Sequence, residues 1–107
     1  MNETDATYLF PSMRPCVKTT REEFALGKNV DKLEEEIAEV QEAVKAWGKD
    51  QNNPSSRMHL LVELYDVIHV VETQMRCMDV TYEEQTLAVS YVEYKNTARG
   101  YYNGYYS

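Results

Sequence analysis

The sequence predicts an all-α fold, an antiparallel helical bundle assembled as an oligomer. Three observations carry that expectation. Apolar residues recur at steps of three and four along two long segments, which is the pattern of one helix face. Only four glycines and three prolines occur in 107 residues, so long stretches run without a breaker. A helical chain this short leaves apolar surface uncovered, and a second copy related by a closed symmetry is the expected cover.

Each element follows from local signals. Residues 1–19 show no period and are punctuated by Pro11 and Pro15, which predicts an irregular arm. Thr20 with Glu23 has the form of a capping box, and a short helical turn is expected over 21–27, closing near Gly27. The first long helix is expected from Asp31, as N-cap, to Trp47, with Gly48 as its stop. Its apolar stripe is Val30, Leu33, Ile37, Val40, Val44 and Trp47. Lys49 to Pro54 reads as a polar loop, and Ser55 or Ser56 as the cap of a second helix reaching Met78. Leu61, Leu64, Ile68, Val71, Met75 and Met78 line that helix, and Leu60, Val62, Val67 and Val70 widen the stripe. Apolar on so many sides, it is expected to be contacted from several directions. After Asp79 and Val80, Thr81 with Glu84 forms a second candidate capping box. It opens a third helix from Tyr82 to Arg99, with Leu87, Ala88, Tyr91, Val92 and Tyr94 on one stripe and Gly100 as its stop. The aromatic tail is 101–107, and the whole chain reads as one domain, 1–107.

A formal net charge of −7 argues against a nucleic-acid backbone as partner. It leaves anionic small molecules open, because divalent cations invert the local field. Cys16 and Cys77 lie too far apart in sequence for a metal-type spacing, and reduced thiols in the cytoplasm are the plain expectation. No signal peptide and no membrane-spanning run is evident; Glu63, Asp66 and His69 interrupt the apolar stretch 60–71.

That interruption is where chemistry enters. Glu63 and Asp66 sit at i and i+3 inside the most apolar part of the second helix. Burying two unpaired carboxylates would cost several kcal/mol each, and the nearest arginines, Arg57 and Arg76, lie toward the helix ends. A hard divalent cation resolves the cost; a helix edge facing solvent is the competing reading. The first helix carries Glu34, Glu35, Glu36, Glu39 and Glu42, most simply a solvated acidic face. Yet Glu36 borders the apolar stripe, and Glu39 lies one turn along the same flank. Packed antiparallel, the two helices would point Glu36, Glu39, Glu63 and Asp66 into one pocket.

The segments Lys32-Leu-Glu-Glu-Glu-Ile-Ala-Glu-Val-Gln-Glu-Ala43 and His59-Leu-Leu-Val-Glu-Leu-Tyr-Asp-Val-Ile68 resemble the ExxE and ExxD metal motifs of the all-α nucleotide pyrophosphohydrolase superfamily. That superfamily includes MazG-like proteins, dimeric dUTPases and phosphoribosyl-ATP pyrophosphohydrolases. Lys95-Asn96-Thr97-Ala98-Arg99-Gly100-Tyr101 is similar to its basic motif, so the resemblance spans residues 32–101. Val62 and Tyr65 depart from the second motif, where many relatives carry an acidic and a small residue.

The resemblance implies a bundle of the NTP pyrophosphatase type that hydrolyses nucleoside triphosphates to monophosphate and pyrophosphate. It implies Mg²⁺, with Mn²⁺ as a substitute, held by Glu36, Glu39, Glu63 and Asp66. It implies Glu35 as the group that orients or deprotonates water. Lys95 and Arg99 would neutralise phosphate charge, and Asn96 would hydrogen-bond sugar or base. Relatives associate through their helices, so a homodimer or a tetramer of dimers is expected. Read without the resemblance, Lys95 and Arg99 are also what any helix C-terminus favours. His59 and His69 read as structural or supporting residues, and the tyrosine tail as packing against a neighbouring subunit. The competing function is a non-catalytic oligomerisation or adaptor module. It would not need Glu63 and Asp66, and metal-dependent melting separates the two.

Overall fold

The computed structural model describes Met13, Cys16 and residues 21–104, except the side chains of Arg21 and Ala25. Four α-helices and no strand occur among the described residues: α1 (Arg21–Ala25), α2 (Lys28–Lys49), α3 (Pro54–Cys77) and α4 (Tyr82–Ala98). The arm 1–19, apart from Met13 and Cys16, lies outside the described residues, as do Thr20 and the tail beyond Gly104. The chain divides into two compact units, one carrying α1–α3 within Met13–Asp79 and one carrying α4 from Val80 onward.

Helix ends differ from the sequence expectation where backbone geometry outranks side-chain signals. Gly27 adopts φ 81°, a left-handed conformation that glycine takes without strain, and turns the chain from α1 into α2. Its carbonyl already accepts from Val30 N–H at 3.1 Å and Asp31 N–H at 3.2 Å. Asp31 is therefore not the N-cap but a first-turn acid, placed favourably against the helix dipole. At the other end α2 runs through Gly48 and stops at Asp50, whose backbone is extended.

Ser55 and Ser56 do not cap α3. Asn53 does: its side-chain oxygen accepts from Ser55 N–H at 2.9 Å and Ser56 N–H at 3.4 Å. Pro54 follows in the first helical turn, where its fixed φ fits and its missing N–H costs nothing. Thr81 and Glu84 form the expected capping box, with bonds of 3.1 and 3.0 Å. At the end of α4, Gly100 at φ 78° lets Tyr101 N–H reach Asn96 O (2.9 Å) and Gly100 N–H reach Thr97 O (3.0 Å). Those two bonds close the helix as a Schellman motif.

In the first unit α2 and α3 pack along each other as an antiparallel pair joined by the loop at 50–53, and α1 touches both. The covered seam on α2 is Asn29, Leu33, Glu36, Val40, Ala43 and Trp47, all buried or half-buried. Only half of the expected stripe therefore lies inward. Val30, Ile37 and Val44, one position further on, are exposed, Ile37 at 44%. The stripe is wider than a single partner helix covers. On α3, likewise, Leu61, Leu64, Val71 and Met78 are exposed, whereas Val70 and Thr73 are buried. In the second unit Leu87, Tyr91, Val92 and Tyr94 are exposed and Gln85 is the buried residue of α4.

Candidate metal centre

The α2–α3 seam places carboxylates where a helix pair ordinarily places Leu or Val. Glu36 occupies a heptad position between Asn29 and Ala43, both buried, and is itself only 6% exposed. Asp66 occupies the matching position on α3, seven residues from His59 and from buried Thr73. Glu39 and Glu63 come in one turn away on their helices, at the i and i+3 spacing that shares a face. Antiparallel packing then brings all four together. Ligand-capable oxygens of Glu36, Glu39, Glu63 and Asp66 lie within 4.8 Å of one another. Glu36 is buried, Glu63 half-buried, and Glu39 and Asp66 form the exposed rim.

Electrostatics show the strain of this cluster. A hydrogen bond to Glu63, and then repulsion from Glu36 and Glu63, holds the Glu39 carboxyl above its ordinary value. Burial, and then repulsion from Glu36 and Glu63, does the same to Asp66, against weaker pulls from His69 and Lys32. Buried oxygens remain unsatisfied: Oε2 of Glu36 and Oε2 of Glu63 have no hydrogen-bond partner. Orphaned acceptors of this kind cost free energy unless something positive meets them.

The donor set is four carboxylates with no sulfur and no imidazole among its members, the chemistry of hard cations such as Mg²⁺, Mn²⁺ or Ca²⁺. Opposite oxygens around Mg²⁺ are about 4.2 Å apart, so only a slight contraction of the cluster is needed. The residues present fit a divalent ion.

The neighbours of the cluster divide sharply. Lys32, which the sequence reading gave no role, reaches Glu36 Oε1 at 3.0 Å and Glu35 Oε2 at 3.5 Å. Its spacing of four residues before Glu36 was the available signal, since i,i+4 ion pairs meet on a helix surface. These two carboxylates in turn raise the Lys32 ammonium above its ordinary value, the Glu36 hydrogen bond most. Glu35 is exposed and lies outside the group of four, tied to it through Lys32. His59 Nε2 stands 3.9 Å from Glu63 Oε1, and the His69 carbonyl accepts from Thr73 Oγ1 at 2.9 Å.

Lys95, Asn96 and Arg99 belong to the second unit. Lys95 is exposed in the last turn of α4, and Arg99 is its exposed C-cap. Asn96 is half-buried and donates from Nδ2 to Tyr102 Oη at 3.2 Å.

A carboxylate cluster of this composition on an all-α scaffold accords with one further finding. The model of the phosphoribosyl-ATP pyrophosphohydrolase family matches residues 12–90, well over half of the chain. The chain belongs to this family. Phosphoribosyl-ATP pyrophosphohydrolases are members of the MazG-like all-α superfamily, with pyrophosphohydrolase activity on nucleotide substrates and a typical dependence on metal. The family match contains both acidic motifs and ends before Lys95, so the basic segment 95–101 lies beyond it. No curated protein and no solved structure shows a significant match. Among the described residues no helix is long and apolar enough to cross a membrane.

Proposed function

We propose that the protein is a Mg²⁺-dependent nucleoside triphosphate pyrophosphohydrolase, cutting between the α- and β-phosphates to release nucleoside monophosphate and pyrophosphate. The single observation that carries this reading is the cluster of Glu36, Glu39, Glu63 and Asp66 in a chain of the pyrophosphohydrolase family. These four carboxylates would hold the cation, and the unsatisfied buried oxygens of Glu36 and Glu63 favour its capture. When bound, the cation supplies charge neutralisation at the phosphate oxygens and Lewis acidity toward the attacking water.

The chain's own side chains do the rest. Glu35, exposed at the edge of the cluster, orients the water and takes its proton. Lys95 and Arg99 neutralise phosphate charge, the guanidinium through paired hydrogen bonds. Asn96 is the candidate contact to sugar or base, which would require it to exchange its bond to Tyr102. We read 1–107 as one functional domain, because the family match runs from residue 12 into α4. The protein acts in the cytoplasm as a homodimer or a tetramer of dimers, with the exposed stripes of α2 and α3 as the surfaces to be covered.

Phosphoribosyl-ATP itself is the second reading for the substrate, favoured by the description of the matching family. It carries the same triphosphate, so the bond chemistry is unchanged. The test is a screen of ribo- and deoxyribonucleoside triphosphates and phosphoribosyl-ATP with Mg²⁺, followed by phosphorus NMR. Pyrophosphate and a monophosphate are expected; accumulation of nucleoside diphosphate and orthophosphate would refute the reaction.

A further inference from the structure

We propose that Lys32 is a positioning residue: by holding Glu36 Oε1 it fixes the carboxylate so that Oε2 is presented for cation capture. This inference rests on the metal-centre reading above and concerns a residue to which that reading gives no part. Three observations support it. Lys32 Nζ bonds Glu36 Oε1 at 3.0 Å, the shorter of its two carboxylate contacts. The other oxygen of the same group, Oε2, is buried and has no hydrogen-bond partner. The Glu36 side chain is 8% exposed whereas that of Lys32 is 56% exposed, so the ammonium approaches from the solvent side.

The physical logic is that of an outer-shell partner. A carboxylate has two oxygens, and a group that binds one of them fixes the direction of the other. Without such a partner, repulsion from Glu39, Glu63 and Asp66 drives Glu36 to rotate away from the cluster. Lys32 sits one turn before Glu36, so the bond is formed within α2 and does not wait for the cation. The role is not that of charge alone. A positive charge beside a divalent cation repels it, so deleting the ammonium should by itself tighten binding. Only lost positioning predicts the opposite sign.

The test is calorimetric titration of the full chain with Mn²⁺ alone, without nucleotide, so that the readout is separate from turnover. Lys32→Met is expected to weaken Mn²⁺ binding by roughly tenfold, the low end for loss of an outer-shell partner, with circular dichroism confirming an intact fold. Lys32→Leu, which likewise has no donor, supplies the same comparison should methionine perturb the helix. Unchanged or tighter Mn²⁺ binding in Lys32→Met overturns the positioning role while leaving the metal centre standing. Asp66→Asn is the control that separates the two failures: wild-type Mn²⁺ affinity in that variant refutes the metal centre itself, and the positioning role with it.

Discussion

Glu39 on α2 and Glu63 on α3 bring carboxylate oxygens within 4.8 Å of each other across the helix pair. That relationship sets the pH dependence of the metal-free protein. Carboxyls held above their ordinary values, 4.5 for Glu39 and 3.8 for Asp66, bind protons more tightly folded than unfolded. Their contribution to stability is therefore present at low pH and is lost as pH rises through the raised values. With a chelator present, the Tm should be higher at about pH 5 than at about pH 7.5. With Mg²⁺ the trend should reverse, because the ion requires the deprotonated forms. Scanning calorimetry under both conditions checks this, and a chelated protein whose Tm climbs steadily toward neutral pH would contradict it.

Removing one ligand charge separates stability from activity. Glu63→Gln and Asp66→Asn keep side-chain size and should each abolish turnover and the Mg²⁺-induced rise in Tm. Without metal, both variants should be at least as stable as wild type, because repulsion within the cluster is relieved. Full turnover in either would remove that residue from the centre.

Arg99 tests the basic motif, which lies outside the family match. Arg99→Ala should raise KM for the triphosphate by about tenfold, the loss of one charge-assisted contact. Its affinity for Mn²⁺ alone should not change. Steady-state kinetics beside a metal titration reads both, and an unchanged KM would leave Arg99 as a helix-terminus residue.

The helix that carries Glu63 and Asp66 begins at Asn53, whose side chain satisfies two first-turn N–H groups. Asn53→Ala should cost about 1 kcal/mol of stability, the usual value of an N-cap. Urea unfolding measures it. Ser55→Ala should cost much less, since Ser55 contributes a backbone donor to the cap and not the cap itself.

The exposed stripe of α3 bears on assembly. Leu64, 42% exposed in the single chain, is expected to be covered by a second copy. Light scattering at micromolar concentration should give a dimer or a tetramer, and Leu64→Glu should shift it toward monomer. A monomeric wild type would require another account of that surface.

Much of this fold is legible in the sequence because its signals are local. The capping box at Thr81 and Glu84 and the stop at Gly100 read directly from residue type and spacing. Glu63 and Asp66 stood out because they interrupt an apolar run, a conflict between pattern and burial that needs a resolution, whereas Glu36 and Glu39 were marked only by bordering the apolar stripe. What escaped depended on geometry between elements. Periodicity gave Ile37 and Leu33 equal standing, and only the direction of α3 decides that Leu33 faces inward while Ile37 does not. Asn29 and Thr73 are buried polar residues that no hydrophobic pattern would select. Asp31 looked like a cap because the left-handed turn at Gly27 leaves no side-chain signature. Lys32 was hidden for a different reason: an exposed lysine among glutamates reads as ordinary surface pairing until Glu36 is seen to be buried.

The seam also decides where this protein tolerates changes in length. Asn29, Glu36 and Ala43 are buried at heptad intervals on α2, and Asp66 lies seven residues before buried Thr73 on α3, so the level of each carboxylate is set by the packing of α2 against α3. The connecting residues 50–53 carry none of that registration beyond the cap at Asn53. Extra residues placed before Asn53 would lengthen the tether and leave the four oxygens opposed, since each added loop residue costs little closure entropy. One residue added between Glu36 and Glu39 would rotate everything beyond it by about 100° and carry Glu39 off the shared face. The spacing within each acidic motif is therefore rigid and the spacing between the two is elastic, so homologues with longer or shorter hairpin tips can keep the same centre.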